Sequence, residues 1–385
     1  MSENEILKVE HLKKYFPVEK SFLEKMLTRT RRFVRAVDDV SFSVRKGEIF
    51  TLAGESGCGK TTTGKLVVHL MPPTSGKIFF NGAEITGLDH EALRVLRRKM
   101  QIIFQDPYAS FNPRMKIGKA VGHPLEIHGL ARHEETRESV LLIRKSLERH
   151  RKLCYILEKA RKNSVVQSLD RYLIGRNPLA KLATTRRVDR TRERVVEILN
   201  RVGLTPAEKF VDLYPHQMSG GQRQRAAMAR ALILQPEFIV ADEPVSMIDV
   251  SLRTAIIDLM LKLRKDFGLT YLFITHDLAI AKYISDRIAI MYLGKIVELA
   301  DKKTIFANPL HPYTQALLAA IPVPVPEAKR KKTELIGDVP SAIHIPSGCR
   351  FRTRCRRMGK ACKEKEPQLI PVSPNHYVAC SLAES

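Results

Sequence analysis

The chain has 385 residues, 44% of them hydrophobic, enough to bury a sizeable core as one large or two modest domains. No apolar run is long enough to span a bilayer, and Met1-Ser2-Glu3-Asn4-Glu5 lacks the basic-then-apolar form of a signal peptide. A cytoplasmic chain is expected, one that borrows any membrane from partners. The formal charge of +24, from 65 Lys and Arg against 41 Asp and Glu, suits nucleic acid, an anionic leaflet or a solvated basic surface. No RNA- or DNA-reading motif accompanies it, so a nucleic-acid partner is not expected.

In chain order, residues 48–53 read as a buried strand and 60–70 as a helix. Between them Gly54-Glu55-Ser56-Gly57-Cys58-Gly59-Lys60-Thr61 fits the G-x-x-x-x-G-K-[ST] loop. Such a turn presents backbone N–H groups and a helix N-terminus to phosphate oxygens, with glycine where the backbone must approach the anion. Lys60 would reach the β- and γ-phosphates, and the Thr61 hydroxyl would ligate Mg²⁺. The alternative is an ordinary glycine-rich turn, which a full eight-residue match disfavours. Cys58 has no base beside it and reads as an incidental loop residue.

The stretch from about 130 to 192 is unusually basic: residues 141–190 hold 14 Lys and Arg against 4 Asp and Glu. Its apolar residues, from Val140 through Leu147 and Leu153 to Val166, recur at roughly helical spacing and predict one or two amphipathic helices. Either a solvated basic excursion or a contact with a membrane surface or regulator would explain it. Further on, Phe238-Ile239-Val240-Ala241 leads into Asp242 and Glu243 at a strand's C-terminal end, where parallel α/β sheets place their ligands. There Asp242 would face Mg²⁺ or its water shell, and Glu243 would polarise an attacking water as general base. A solvated acidic pair is the competing reading. Residues 271–275 form another apolar strand, ending at His276.

Beyond 299 the prolines of Ile321-Pro322-Val323-Pro324-Val325-Pro326 favour an extended connector, followed by the basic run Lys329-Arg330-Lys331-Lys332. Four of the six cysteines fall in the last 37 residues, at Cys349, Cys355, Cys362 and Cys380. A reducing cytoplasm argues against disulfides, so a soft metal or an iron–sulfur cluster is the better explanation for clustered thiols. The spacing lacks the C-x-x-C knuckle of most zinc sites.

Taken in order, the phosphate loop, Met218-Ser219-Gly220-Gly221-Gln222, the strand ending in Asp242-Glu243, and His276 make the chain resemble the nucleotide-binding subunit of an ATP-binding-cassette (ABC) transporter. The resemblance implies an α/β fold: a RecA-like P-loop NTPase core with an antiparallel β subdomain, over 1–110 and 236–300. It further implies a helical subdomain over 111–235, carrying the basic insertion of about 45 residues, and a small C-terminal extension over 301–385. By the same resemblance, Gly54 to Thr61 and Thr62 hold ATP, while Ser219, Gly220, Gly221 and Gln222 act on ATP across a subunit interface. Phe16 would stack on adenine, with Tyr15 as alternative. Gln105, in Ile103-Phe104-Gln105-Asp106-Pro107, would sense Mg²⁺ and the attacking water, and His276 would contact the γ-phosphate. Asp249 matches the D-loop aspartate, although Met247-Ile248 departs from the usual small-apolar pair. Residues 21–35 look like an inserted basic loop.

The segment Asn308-Pro309-Leu310-His311-Pro312-Tyr313-Thr314-Gln315-Ala316-Leu317-Leu318 resembles the end of the core in ATPases of oligopeptide and dipeptide importers. Gly348-Cys349-Arg350-Phe351-Arg352-Thr353-Arg354-Cys355 and His376-Tyr377-Val378-Ala379-Cys380 match the tail of that subfamily, and the whole resembles its F-type ATPase. This implies a homologous ATPase as partner, two transmembrane permease subunits and an extracellular solute-binding protein, with the chain peripheral on the cytoplasmic membrane face. It also implies a 4Fe–4S cluster on Cys349, Cys355, Cys362 and Cys380; Zn²⁺ or unligated thiols stay open, and His376 is expected outside the first shell. Oligosaccharides or nickel are alternative cargoes. A soluble ABC ATPase acting on nucleic acid is the rival from another class, but neither a second cassette nor a long coiled coil is present. A cassette without turnover is disfavoured because Lys60, Gln105, Asp242, Glu243 and His276 are all in place.

Overall fold

A computed structural model of the chain describes residues 4–18, 32–130, 190–321 and 337–383. Of the basic insertion expected over about 130–192, residues 131–189, with the amphipathic helices expected in it, lie outside the described residues, while 190–192 begin a helix.

Three apolar runs, β3 (Ile49–Ala53), β7 (Phe238–Asp242) and β8 (Thr270–Thr275), are buried at every position. Strands covered on both faces have no solvent side to alternate with, so continuous apolar sequence is what a parallel sheet requires. With β6 (Met100–Ile103), β9 (Arg287–Tyr292) and β10 (Lys295–Asp301) they form most of an eight-stranded sheet. Its order is β11-β12-β10-β9-β3-β8-β7-β6, where β11 (Ile370–Ser373) and β12 (His376–Val378) come from the far end of the chain. The strands β9, β3, β8, β7 and β6 run parallel, while β10, β12 and β11 add on antiparallel. The two tail strands thus continue the central sheet past β10.

A second, antiparallel sheet of order β2-β1-β4-β5 is built from β1 (Glu5–Pro17), β2 (Phe33–Arg45), β4 (Ser75–Phe80) and β5 (Ala83–Glu84). This is the expected antiparallel β subdomain. Residues 33–35, expected in a loop, are instead strand: Arg35, Val34 and Phe33 pair with Tyr15, Phe16 and Pro17. The β-branched and aromatic character of Phe33-Val34 outweighs the basic residues around it.

Helix α1 (Lys60–Val67) follows β3, and α2 (His90–Lys99) is capped by Asp89, which accepts from Ala92 N. The helical part comprises α3 (Ile117–Ile127), α4 (Arg190–Arg201), α5 (Ala207–Val211) and α6 (Gly220–Leu232), followed after β7 by α7 (Val250–Phe267). Val121, Leu125, Leu199 and Met228 from these helices share one hydrophobic cluster with Ile239, Tyr271 and Phe273 of the central sheet. The helical part is therefore packed directly against the strands that carry the catalytic candidates. After α8 (Leu278–Ile284), α9 (Lys302–Ala307) and α10 (Pro312–Ala319), the tail holds the short α11 (Ala361–Glu364). Among the described residues no helix is long and apolar enough to cross a membrane.

Candidate active site

The phosphate loop leaves β3 at Gly54 and enters α1 at Lys60. Gly54 and Gly59 have φ of 152° and 107°, and a Cβ on them would stand 2.2 Å from the Met291 carbonyl oxygen and 2.1 Å from that of Ala36. Glycine is required at both places by backbone packed behind the loop, whatever approaches from the front. The Lys60 side chain is buried and its Nζ donates to the carbonyls of Gly54 at 2.7 Å and Glu55 at 2.8 Å. Cys58 is also buried, its sulfur 3.7 Å from Lys60 Nζ, and burial pushes its thiol pKa up. This places it inside the loop as a packing group.

Thr61 ties the loop to β7, its Oγ1 donating to Asp242 Oδ1 at 2.9 Å. Asp242 is buried, and desolvation raises its carboxyl above the ordinary range against the opposing pull of the Thr61 hydrogen bond. The chain turns immediately afterwards. Glu243 has φ of 46°, and its carbonyl accepts from Ser246 N at 3.1 Å and Ser246 Oγ at 3.0 Å. A left-handed non-glycine residue is uncommon and clusters at functional sites. Onto its carboxylate converge two of the residues expected from sequence. Gln105 Nε2 donates to Glu243 Oε2 at 3.0 Å, and His276 Nδ1 stands 3.0 Å from the same oxygen. The Glu243 side chain is 11% exposed and that of His276 is 54% exposed, so the carboxylate sits at the floor of the site and the imidazole at its rim.

Ser219, Gly220, Gly221 and Gln222 begin α6, where Ser219 Oγ accepts from Gln222 N and Gln222 Oε1 accepts from Ser219 N. This reciprocal capping fixes the helix start. None of these bonds reaches the phosphate loop of the same chain. Gly220 lies against the Met247-Ile248-Asp249 turn, with its absent Cβ 4.0 Å from the Met247 carbonyl. Thr62 occupies the first turn of α1, beyond the loop itself. Phe16 is 36% exposed near the end of β1, with Lys14 Nζ 5.3 Å from its ring centre. Tyr15, the alternative, is engaged through its hydroxyl with Asp38.

No local signal in the sequence identifies the contacts behind the loop. Glu55 was expected to serve ATP, yet its carboxylate is held by Arg354 at 2.7 and 3.1 Å, and its backbone N–H donates to the Tyr313 hydroxyl at 3.0 Å. Arg350 likewise reaches Asp38 at 2.5 Å and Glu366 at 2.6 Å. The run of arginines after Gly348 was a signal for acidic partners, but nothing local identifies which acids these are.

The cysteines at 349, 355, 362 and 380 are all free thiols, and all but Cys355 are buried. Burial, followed by repulsion from the other thiols, pushes Cys349 up to about 11 and raises Cys355 and Cys380. Backbone N–H groups two residues on, at Phe351, Arg357 and Leu382, bond to the sulfurs of Cys349, Cys355 and Cys380. Nevertheless, among the described residues no group of three or more His, Cys, Asp or Glu side chains is arranged to hold a metal ion, contrary to the expected cluster geometry. His376 is taken by Glu298, its Nε2 at 2.8 Å from Oε1 in a fully buried pair.

Comparison with known proteins places these features. Residues 37–246 match the family described as ABC transporter, and 297–362 match the oligopeptide/dipeptide transporter C-terminal region. The oligopeptide transport ATP-binding protein AppF of Bacillus subtilis is 40% identical across 99% of this chain and 98% of its own length. A second Bacillus subtilis relative, YkfD, is 41% identical across 98% of this chain and 95% of its own. Among solved structures, the dimeric ATP-binding cassette MJ0796 bound to ADP and Pi aligns with a TM-score of 0.55 at 23% identity, over 77% of this chain and 99% of that one. That last likeness shows the fold.

Proposed function

The chain belongs to the ABC transporter family, in its oligopeptide/dipeptide branch, and on that premise we propose that it is the ATP-binding and hydrolysing subunit of an importer of di- and oligopeptides. The observation that carries the reading is the meeting of Gln105 and His276 on one oxygen of Glu243, beside the Thr61–Asp242 bond. A nearly buried carboxylate held between a side-chain amide and an imidazole is a suitable base for the water that attacks a γ-phosphate. Thr61 and Asp242 supply the hard oxygen ligands that Mg²⁺ prefers, and Lys60 supplies positive charge to the phosphates. In this reading Phe16 stacks on adenine.

Ser219 to Gln222 begin a capped helix whose bonds are local, which suits a surface presented to the nucleotide of a second cassette. Head-to-tail pairing with a homologous ATPase would close two ATP sites between subunits, and closure would move two transmembrane permeases fed by an extracellular solute-binding protein. The net charge of +24 favours a position against an anionic leaflet on the cytoplasmic face. Four free cysteines in the tail, Cys349, Cys355, Cys362 and Cys380, are a donor set of the type that holds an iron–sulfur group, although their side chains are not arranged as a metal site among the described residues. Its role would be structural. The test of the main reading is ATP-dependent uptake of a labelled peptide by the reconstituted transporter. Uptake abolished by Glu243→Gln supports it, and uptake of a labelled oligosaccharide or Ni²⁺ in place of peptide would reassign the cargo.

A further inference from the structure

The phosphate loop from Gly54 to Thr61 contains a single carboxylate, that of Glu55. A negative charge in a loop built to receive a triphosphate opposes binding unless it is neutralised and turned away. Arg354 is placed to do both. Its guanidinium forms two near-parallel bonds to the two Glu55 oxygens, at 2.7 and 3.1 Å, the fork geometry that arginine makes with a carboxylate. The Arg354 side chain is 5% exposed against 26% for Glu55, so the pair is approached from the protein side by arginine and is largely shielded from solvent. Screening and side-chain entropy, which make surface ion pairs weak, are reduced here.

Glu55 is held at a second point by the same part of the chain. Its N–H donates to Tyr313 Oη at 3.0 Å, and Tyr313 is fully buried, with its ring centre 4.7 Å from Tyr292 and 5.3 Å from Phe351. Phe351 and Arg354 are in one turn, since Arg354 N donates to the Phe351 carbonyl at 3.0 Å. One face of the phosphate loop is thus seated on Tyr313 and on the Phe351–Arg354 turn, with Tyr313 258 and Arg354 299 positions beyond Glu55 in sequence.

We propose that Arg354 is a positioning residue for ATP: by neutralising and pinning Glu55 it keeps the phosphate loop open to the triphosphate, which makes nucleotide affinity depend on the C-terminal extension. The inference rests on the reading of the chain as an ATPase. Its test is equilibrium ATP binding to the full-length chain by calorimetry. Arg354→Ala should weaken ATP binding about tenfold, because an unpaired carboxylate then faces the phosphates. Adding Glu55→Gln to that variant should recover most of the affinity by removing the charge, and Arg354→Lys should fall between. The recovery is the diagnostic result, since a tail that had merely lost its packing would not be repaired by neutralising a residue in the loop. Unchanged affinity in Arg354→Ala would overturn the proposal, as would a double variant as weak as the single one. Lys60→Ala separates the two levels. If it alone loses ATP, only the role of Arg354 fails; if it too binds like the parent chain, the nucleotide reading itself is wrong.

Discussion

His276 Nδ1 lies 3.0 Å from Glu243 Oε2, the oxygen that also accepts from Gln105 Nε2. Two groups from two different strand ends therefore fix one carboxylate, which leaves its second oxygen to meet a water. Glu243→Gln keeps the shape and removes the proposed base. Phosphate release by the assembled transporter should fall by roughly 10²–10⁴-fold, the usual weight of general-base catalysis, while ATP binding persists. Steady-state turnover at the parent rate would remove Glu243 from the mechanism.

Ser219 is the N-cap of α6 and, in the proposed pairing of two cassettes, also the group offered to a partner's nucleotide. Ser219→Ala should cost about 1 kcal/mol of stability through the lost cap, measurable by denaturant unfolding. Ser219→Arg should in addition block hydrolysis of the ATP held by the partner ATPase while ATP binding to this chain's own Lys60 loop persists. An isolated chain that hydrolyses ATP as fast as the full complex would contradict the shared site.

The strand ends at Asp242 and His276 were legible because a short run of four apolar residues, such as 238–241 or 271–274, has one natural home, the middle of a covered parallel sheet, and its polar terminus then marks the ligand edge. The phosphate loop was legible for a similar reason: its chemistry is local. The contacts behind the loop were not. Glu55 and Arg354 are 299 positions apart, and an arginine-rich tail looks like solvated surface until the fold brings an acid to it. The tail strands were also hidden. His376 and Tyr377 carry no strand pattern of their own and are strand because β10 offers an open edge and Glu298 a buried partner for His376. Phe33 was lost in the opposite way, its strand character obscured by neighbouring arginines.

The four tail cysteines make a prediction with a visible outcome. If they carry an iron–sulfur group, the chain purified without oxygen should be brown and hold about four irons, and serine at any one position should bleach it. Stoichiometric zinc without iron would move the site to zinc, and neither metal in the purified chain would leave the cysteines as packing groups.

His311 offers the clearest dependence on pH. It is buried, burial lowers its pKa to about 3, and its Nδ1 accepts from Tyr313 N at 3.1 Å, so the neutral ring is the form built into the start of α10. The nearest carboxylate, Glu298, accepts from the His311 backbone N–H at 3.0 Å and is also occupied by His376. An unfolded chain takes up this proton near the ordinary value of 6.5, whereas the folded chain resists it down to about 3. Between those values the unfolded state binds more protons, so the contribution to stability is complete above 6.5 and declines as the pH falls, by up to about 1.4 kcal/mol per pH unit. His311→Asn keeps a cap acceptor and removes the titration. Urea unfolding followed from pH 7.5 to pH 5.5 should therefore show a shallower loss of stability in the variant than in the parent chain, and equal slopes would show that His311 is protonated in the fold without cost.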